Sequence, residues 1–207
     1  DQGKALNLYR TIMDTVTRNK QGIKPLKPYL EKINAVKDVA DLKKLLIEME
    51  TQGGVGFFGV GVGTDAKNSN RNVVNVGLGS LGLPDRDYYV SEDKDSKEKR
   101  EKYHAHIIKM MSYLGEKPAQ AKATADRVLT LEIAMATPRL DRVERRDRRK
   151  TYNPMTIAEL QNLTPTINWN EYLQGVGLPI VDTIIVSQPR YMTALETIFK
   201  ENKVEDW

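Results

Sequence analysis

Between Phe57 and Gly79 the spacing of apolar residues switches from helical to alternating, and it switches back after Pro84. In "FFGVGVG", Phe58, Val60 and Val62 share one face, with glycine between them. In "NVVNVGLG", Val74, Val76 and Leu78 do the same. The intervening "TDAKNSNR", Thr64 to Arg71, is rich in turn formers, so the pair predicts a β-hairpin. Glycine opposite the apolar face predicts close approach by another backbone or element.

On both sides the period is that of helices. Ala5, Leu8, Tyr9, Ile12, Met13 and Val16 form one stripe, and Leu26, Tyr29, Leu30, Ile33 and Val36 a second. Asp38 is a good N-cap for a third helix carrying Val39, Leu42, Leu46 and Met49, which Gly53 and Gly54 stop. "PDRDYY" predicts a short turn of helix with Pro84 at its first position. Tyr103, Ile107, Met110, Met111 and Leu114 mark a long helix from about Asp95. The next, Pro118 to about Ala136, is so apolar in "VLTLEIAMA" that burial nearly all round is expected. After the charged connector "PRLDRVERRDRRK", Thr156 and Glu159 have capping-box spacing. Trp169–Leu173 predicts a short helix, "DTIIVSQ" a short strand, and Pro189 opens a last helix. The expected fold class is therefore mainly α (α+β): a helical domain with a small β-hairpin and one further short strand.

Composition removes several chemistries. There is no cysteine, so disulfides, thiol nucleophiles and cysteine-bound zinc are excluded. His104 and His106 are the only histidines. In a helix, residues two apart point to opposite sides, so one metal cannot take both. No run approaches the about 18 uncharged apolar residues of a membrane-spanning helix, and "DQGKALNLYR" carries no signal-peptide pattern.

Gly77, Gly79 and Gly82 have the G-x-G-x-x-G spacing of a dinucleotide loop. That loop must join a strand to a long helix whose N-terminus faces the pyrophosphate. Here the strand belongs to a hairpin, Pro84 follows, and Asp85 and Asp87 occupy the place of the phosphate. The glycines are better read as a strand exit and a tight turn. From Arg142 to Lys150 six basic residues accompany Glu144 and Asp147. Without interleaved aromatics the run reads as a solvated connector, or as a partner for acids elsewhere, and no nucleic acid is expected as a partner. The net charge of +4 is too small to argue otherwise. Glu132 is the single acid in its apolar stretch, for which a structural ion pair is favoured over a functional site. No residue here is assigned a catalytic or metal-binding role.

"VGTDAKNSNRNVVNVGLGSLGLPDRDYY", Val62 to Tyr89, resembles the N-terminal half of the neprilysin and endothelin-converting-enzyme family of zinc metallopeptidases. The matching residues include Asp65, Lys67, Asn68 and Ser69 of the hairpin. They continue with Gly82, Leu83, Pro84, Arg86, Asp87, Tyr88 and Tyr89 of the family's G-L-P-x-R-D-Y-Y segment. "LEIAMA", "RVERRD" with "TYNPMTIAEL" (Tyr152 and Asn153), "INWNEYL" and "VSQPRYMTAL" follow in the family's order, and "KALNLYR" is similar to its first helix.

The resemblance implies that residues 1–207 are part of the N-terminal, non-catalytic helical domain of a longer endopeptidase. Zinc would be held by a His-Glu-x-x-His helix and a downstream glutamate outside this chain. The implied partners are the C-terminal catalytic domain of the same protein and peptide substrates. The implied role is to wall the cavity between the two domains, with the basic connector pairing with acids across that boundary. For the G-L-P-x-R-D-Y-Y segment a structural role is expected: Pro84 starts a turn, Arg86 and Asp87 form a local or interdomain ion pair, and the tyrosines pack. Eukaryotic members are disulfide-rich, so a cysteine-free chain implies an exported bacterial one. A stand-alone helical interaction module is the alternative.

Overall fold

The computed structural model describes residues 2–53, 56–179 and 181–207, so Gly54 lies outside the described residues. The chain forms two compact units, Asp1–Ala35 and Val36–Trp207.

The first unit contains α1 (Gln2–Met13), α2 (Thr15–Gln21), a 3-10 turn at Lys24–Leu26 and α3 (Lys27–Asn34). The single helix expected over the first stripe is two. Asp14 leaves helical geometry, and its carboxylate accepts the Thr17 amide at 2.9 Å, which starts α2 afresh. None of these helices buries a residue. The stripe from Leu8 to Val16 stands 57–79% exposed.

The second unit opens with α4 (Val39–Thr51), capped by Asp38 as expected, and continues into β1 (Phe58–Asp65) and β2 (Asn68–Leu78). Only Ala66 and Lys67 separate the strands, so most of the expected turn is strand. The Asp65 carboxylate accepts the Lys67 amide at 2.8 Å, a local closure that lets the hairpin turn so tightly. The glycines of β1 are not close-approach sites: a methyl group at Gly59 or Gly61 would meet nothing within 4 Å. The close approach is at Gly79, where a Cβ would overlap the backbone of Gly56 and Phe57.

Helices α5 (Asp87–Val90), α6 (Lys94–Tyr113) and α7 (Pro118–Ala136) follow. Pro84 precedes α5 by three residues rather than opening it. The connector carries a 3-10 turn at Glu144–Arg146 and α8 (Arg148–Thr151). Then come β3 (Asn153–Thr156), α9 (Ile157–Leu163), α10 (Trp169–Gly175), β4 (Thr183–Val186) and α11 (Pro189–Glu201). The sheet order is β1-β2-β4-β3. β4 runs parallel to β2 and antiparallel to β3, so the sheet is mixed and has one strand more than expected. β3 lies at an edge, where Pro154 can sit without breaking a ladder.

The core gathers on this sheet. Val76, Ile184 and Val186 are fully buried, beneath Leu160 of α9, Trp169 of α10 and Tyr191, Met192 and Leu195 of α11. Trp169 packs on Phe58 with ring centroids 4.9 Å apart and donates its indole N–H to Thr164 at 2.9 Å. Helix α7 is less enclosed than expected. Leu131 and Met135 reach the core, Thr130 is exposed, and Glu132 is half-buried.

Candidate functional site

The G-L-P-x-R-D-Y-Y segment follows the exit from the sheet at Gly79 and is fixed by two side-chain clusters, while a third holds the hairpin. The first centres on Glu132 of α7. One carboxylate oxygen accepts the Gly82 amide at 2.8 Å and the other accepts the Tyr89 hydroxyl at 2.9 Å. The Tyr89 oxygen accepts the Leu83 amide in turn, at 2.7 Å. Tyr103 of α6 closes the cluster, and a Cβ on Gly82 would overlap its phenol ring. Burial, reinforced by the Glu132 charge, pushes the Tyr103 and Tyr89 hydroxyls above the ordinary phenol range, with the Leu83 amide partly opposing at Tyr89. Both stay protonated donors. No ion pair joins Glu132 among the described residues, so the expected cationic partner is replaced by a backbone amide and a phenol.

The second cluster centres on Asp85, whose side chain is 9% exposed. It accepts the Asp87 amide at 3.2 Å, Arg142 Nε at 3.0 Å and Arg145 Nη2 at 2.9 Å. Burial raises the Asp85 carboxyl, and Arg142, the Asp87 amide and Arg145 more than reverse this, leaving it below the usual range. The basic connector thus pairs with an acid inside this unit, and with Asp147 and Glu144 locally through Arg149 and Lys150. Arg86 and Asp87 form the expected local pair at 3.3 Å. Tyr89 is buried and Tyr88 half-buried, the latter with Lys99 4.5 Å from its ring centroid. Arg100 of α6 donates to the carbonyls of Tyr88 and Ser91 at 2.8 and 2.7 Å, satisfying the end of α5.

The third ties the hairpin tip to β3. Asp65 is 2% exposed and accepts Arg71 Nε at 2.7 Å and the Tyr152 hydroxyl at 2.9 Å, beyond the Lys67 amide. The Lys67 amide, helped by Arg71 and Tyr152, outweighs burial and holds the Asp65 carboxyl down at about 2. Asn153 donates to the carbonyls of Lys150 and Val186, both at 2.9 Å, and so joins the connector to β4. Asn68 is exposed at the tip, where its side chain accepts the Asn70 amide.

Asp65, Tyr89, Tyr152 and Asn153 thus tie elements together, whereas Asn68 bonds within the hairpin tip and Arg86 and Asp87 pair with each other. The sequence marks Glu132 and the Arg142–Lys150 run without their partners, and shows Asp85 only as a charge hostile to phosphate. Gly79 and Gly82 are fixed by close packing, which disposes of the nucleotide spacing. His104 pairs with Asp126 at 2.6 Å while His106 faces outward. Among the described residues no three of His, Cys, Asp and Glu converge as a metal would require. No described helix is long and apolar enough to cross a membrane.

The N-terminal model of the family described as Peptidase family M13 matches residues 1–207. Endothelin-converting enzyme 1 of Cavia porcellus is 35% identical over 147 residues, 69% of this chain and 19% of that protein. Neprilysin-3 of Drosophila melanogaster is 29% identical over 157 residues, 72% of this chain and 20% of its own length. Among solved structures, Mycobacterium tuberculosis zinc metalloprotease ZMP1 in complex with an inhibitor superposes with a TM-score of 0.87 at 30% identity. That match covers 97% of this chain and 31% of the other. The chain therefore spans about a fifth of its curated relatives' length and under a third of that solved structure.

Proposed function

The chain belongs to peptidase family M13, and we propose that residues 1–207 are the N-terminal, non-catalytic part of a zinc metalloendopeptidase. The observation that carries this reading is the match of the whole chain to the family's N-terminal model, together with the fold shared with a zinc metalloprotease. In the whole protein zinc would activate a water for peptide hydrolysis, with a glutamate as general base. Among the described residues nothing offers a ligand set for that metal, so they are given no step in the chemistry.

Their work is positional. Glu132, Asp85 and Asp65 hold the segment from Gly79 to Tyr89 and the hairpin as a rigid surface. Such a surface suits a wall that excludes water and bulky substrates from a closed site. The partners on this reading are a C-terminal catalytic domain of the same protein and peptide substrates. The exposed stripe from Leu8 to Val16 is apolar surface of the kind that marks an interaction face, and we assign its cover to the rest of the protein. Absence of cysteine in a family whose eukaryotic members are disulfide-rich supports a bacterial, exported protein.

A length series tests the wall. Full-length protein should cleave short peptides and leave a folded protein of equivalent sequence content uncut. Equal cleavage of both would remove the wall from the account while leaving the peptidase in place.

A further inference from the structure

Beside the Asp85 cluster lies a cavity of about 180 Å³, lined by Ser80, Asp85, Arg86, Leu140 and two further arginines, Arg139 and Arg145. The guanidiniums come from three separate parts of the chain: the residue before α5, the residues just after α7, and the 3-10 turn of the connector. Arg86 carries a second anomaly. Its Nε is buried and finds no hydrogen-bond acceptor among the described residues. An unsatisfied buried donor on a charged group is rare in native proteins, and an ion or water is its usual explanation.

The local charges do not balance. Arg142 and Arg145 share the single carboxylate of Asp85. Arg86 pairs with Asp87 at 3.3 Å. Arg139 has no carboxylate partner among the described residues. It lies over the Tyr191 ring, 5.0 Å from the centroid, and donates Nε to the Met135 carbonyl at 3.2 Å, which leaves its formal charge uncompensated. Three guanidiniums, Arg86, Arg139 and Arg145, and one carboxylate, Asp85, therefore line the cavity. Planar guanidinium forks match the oxygens of carboxylate and phosphate groups.

We propose that this cavity is an oxyanion site, taking one anion of carboxylate or phosphate size that accepts from Arg86 Nε and is held by Arg139 and Arg145. The site makes no use of zinc or of peptide hydrolysis. It would act as a lock on the turn segment, joining the start of α5 to the connector.

The test is calorimetric titration of the full-length protein with inorganic phosphate and, separately, acetate, at constant ionic strength in chloride. Wild-type protein should give saturable binding of one of them. Tighter phosphate identifies an inorganic ligand, and tighter acetate a carboxylate. Arg145→Gln should weaken binding about tenfold, the loss of one charge-assisted hydrogen bond. Its side chain is 44% exposed and Asp85 keeps Arg142, so folding should survive. Arg142→Gln, which removes the other Asp85 partner from outside the cavity lining, should stay within about threefold of wild type. Absence of saturable binding by either anion overturns the proposal. So does binding that Arg145→Gln leaves unchanged, because the anion then sits elsewhere, at an active-site metal for instance.

Discussion

Glu132 on α7 accepts the backbone amide of Gly82 at 2.8 Å, although the two residues are 50 positions apart. This contact, with the Tyr89 hydroxyl on the other carboxylate oxygen, sets the path of the segment between sheet and helices. Glu132→Ala leaves a backbone donor and a buried phenol without their acceptor. The expected loss of stability is about 1–3 kcal/mol. Glu132→Gln keeps one acceptor oxygen and should lose less. Urea denaturation reads both, and an alanine variant as stable as wild type would refute the role.

Three glycines give a graded series. Gly79→Ala should be the most damaging, because the added Cβ meets backbone that cannot swing aside. Gly82→Ala should also destabilise, since the Tyr103 ring must move and disturb Glu132. Gly61→Ala meets open space and should be neutral or stabilising by up to about 1 kcal/mol. Melting temperatures in the order Gly61→Ala, Gly82→Ala, Gly79→Ala, highest to lowest, check the packing argument in one experiment.

Asp65 makes the hairpin acid-sensitive. Its folded carboxyl is held near 2 by the Lys67 amide, Arg71 and Tyr152, below the ordinary value of about 3.9 in an unfolded chain. A depressed carboxyl contributes stability above the unfolded value and loses it as pH falls towards the folded one. Between about pH 4 and pH 2, wild type should therefore lose stability more steeply than Asp65→Asn. Above pH 5 Asp65→Asn should be the less stable and its deficit constant. Parallel curves from pH 5 to pH 2 would show that the carboxylate is not specially held.

Arg142 and Arg145 are half-exposed partners of one nearly buried acid. Each arginine changed singly to glutamine should cost no more than about 1 kcal/mol, as exposed pairs do. Asp85→Ala removes the acceptor for both and for the Asp87 amide at the start of α5, and should exceed the larger of the two. A double-mutant cycle between the arginines should show coupling, because the second loss strips Asp85 of its last cation.

What could be read from the sequence was local. Pro118 opens α7 and Pro189 opens α11 where expected, and the Thr156–Glu159 capping box forms with both hydrogen bonds. The hairpin was visible through its period of two. Asp14 is not legible as a break, because the apolar stripe continues past it from Met13 to Val16. β3 is not legible because Asn153–Thr156 is short, contains Pro154, and becomes a strand only by pairing with β4. The ties themselves were illegible. Nothing beside Glu132 announces Gly82, and nothing near Asp85 announces arginines 57 and 60 residues onward. Long-range polar contacts leave no periodic trace, so the chemistry of the residues was readable and their partners were not.

On the proposed reading, residues 1–207 are the non-catalytic part of a zinc peptidase. The most direct measurement is peptide cleavage by the purified full-length protein, before and after chelation, alongside its metal content. The account predicts bound zinc, cleavage that chelation abolishes, and recovery when zinc is returned. A full-length protein that holds no zinc, or whose cleavage is indifferent to chelation, would contradict it.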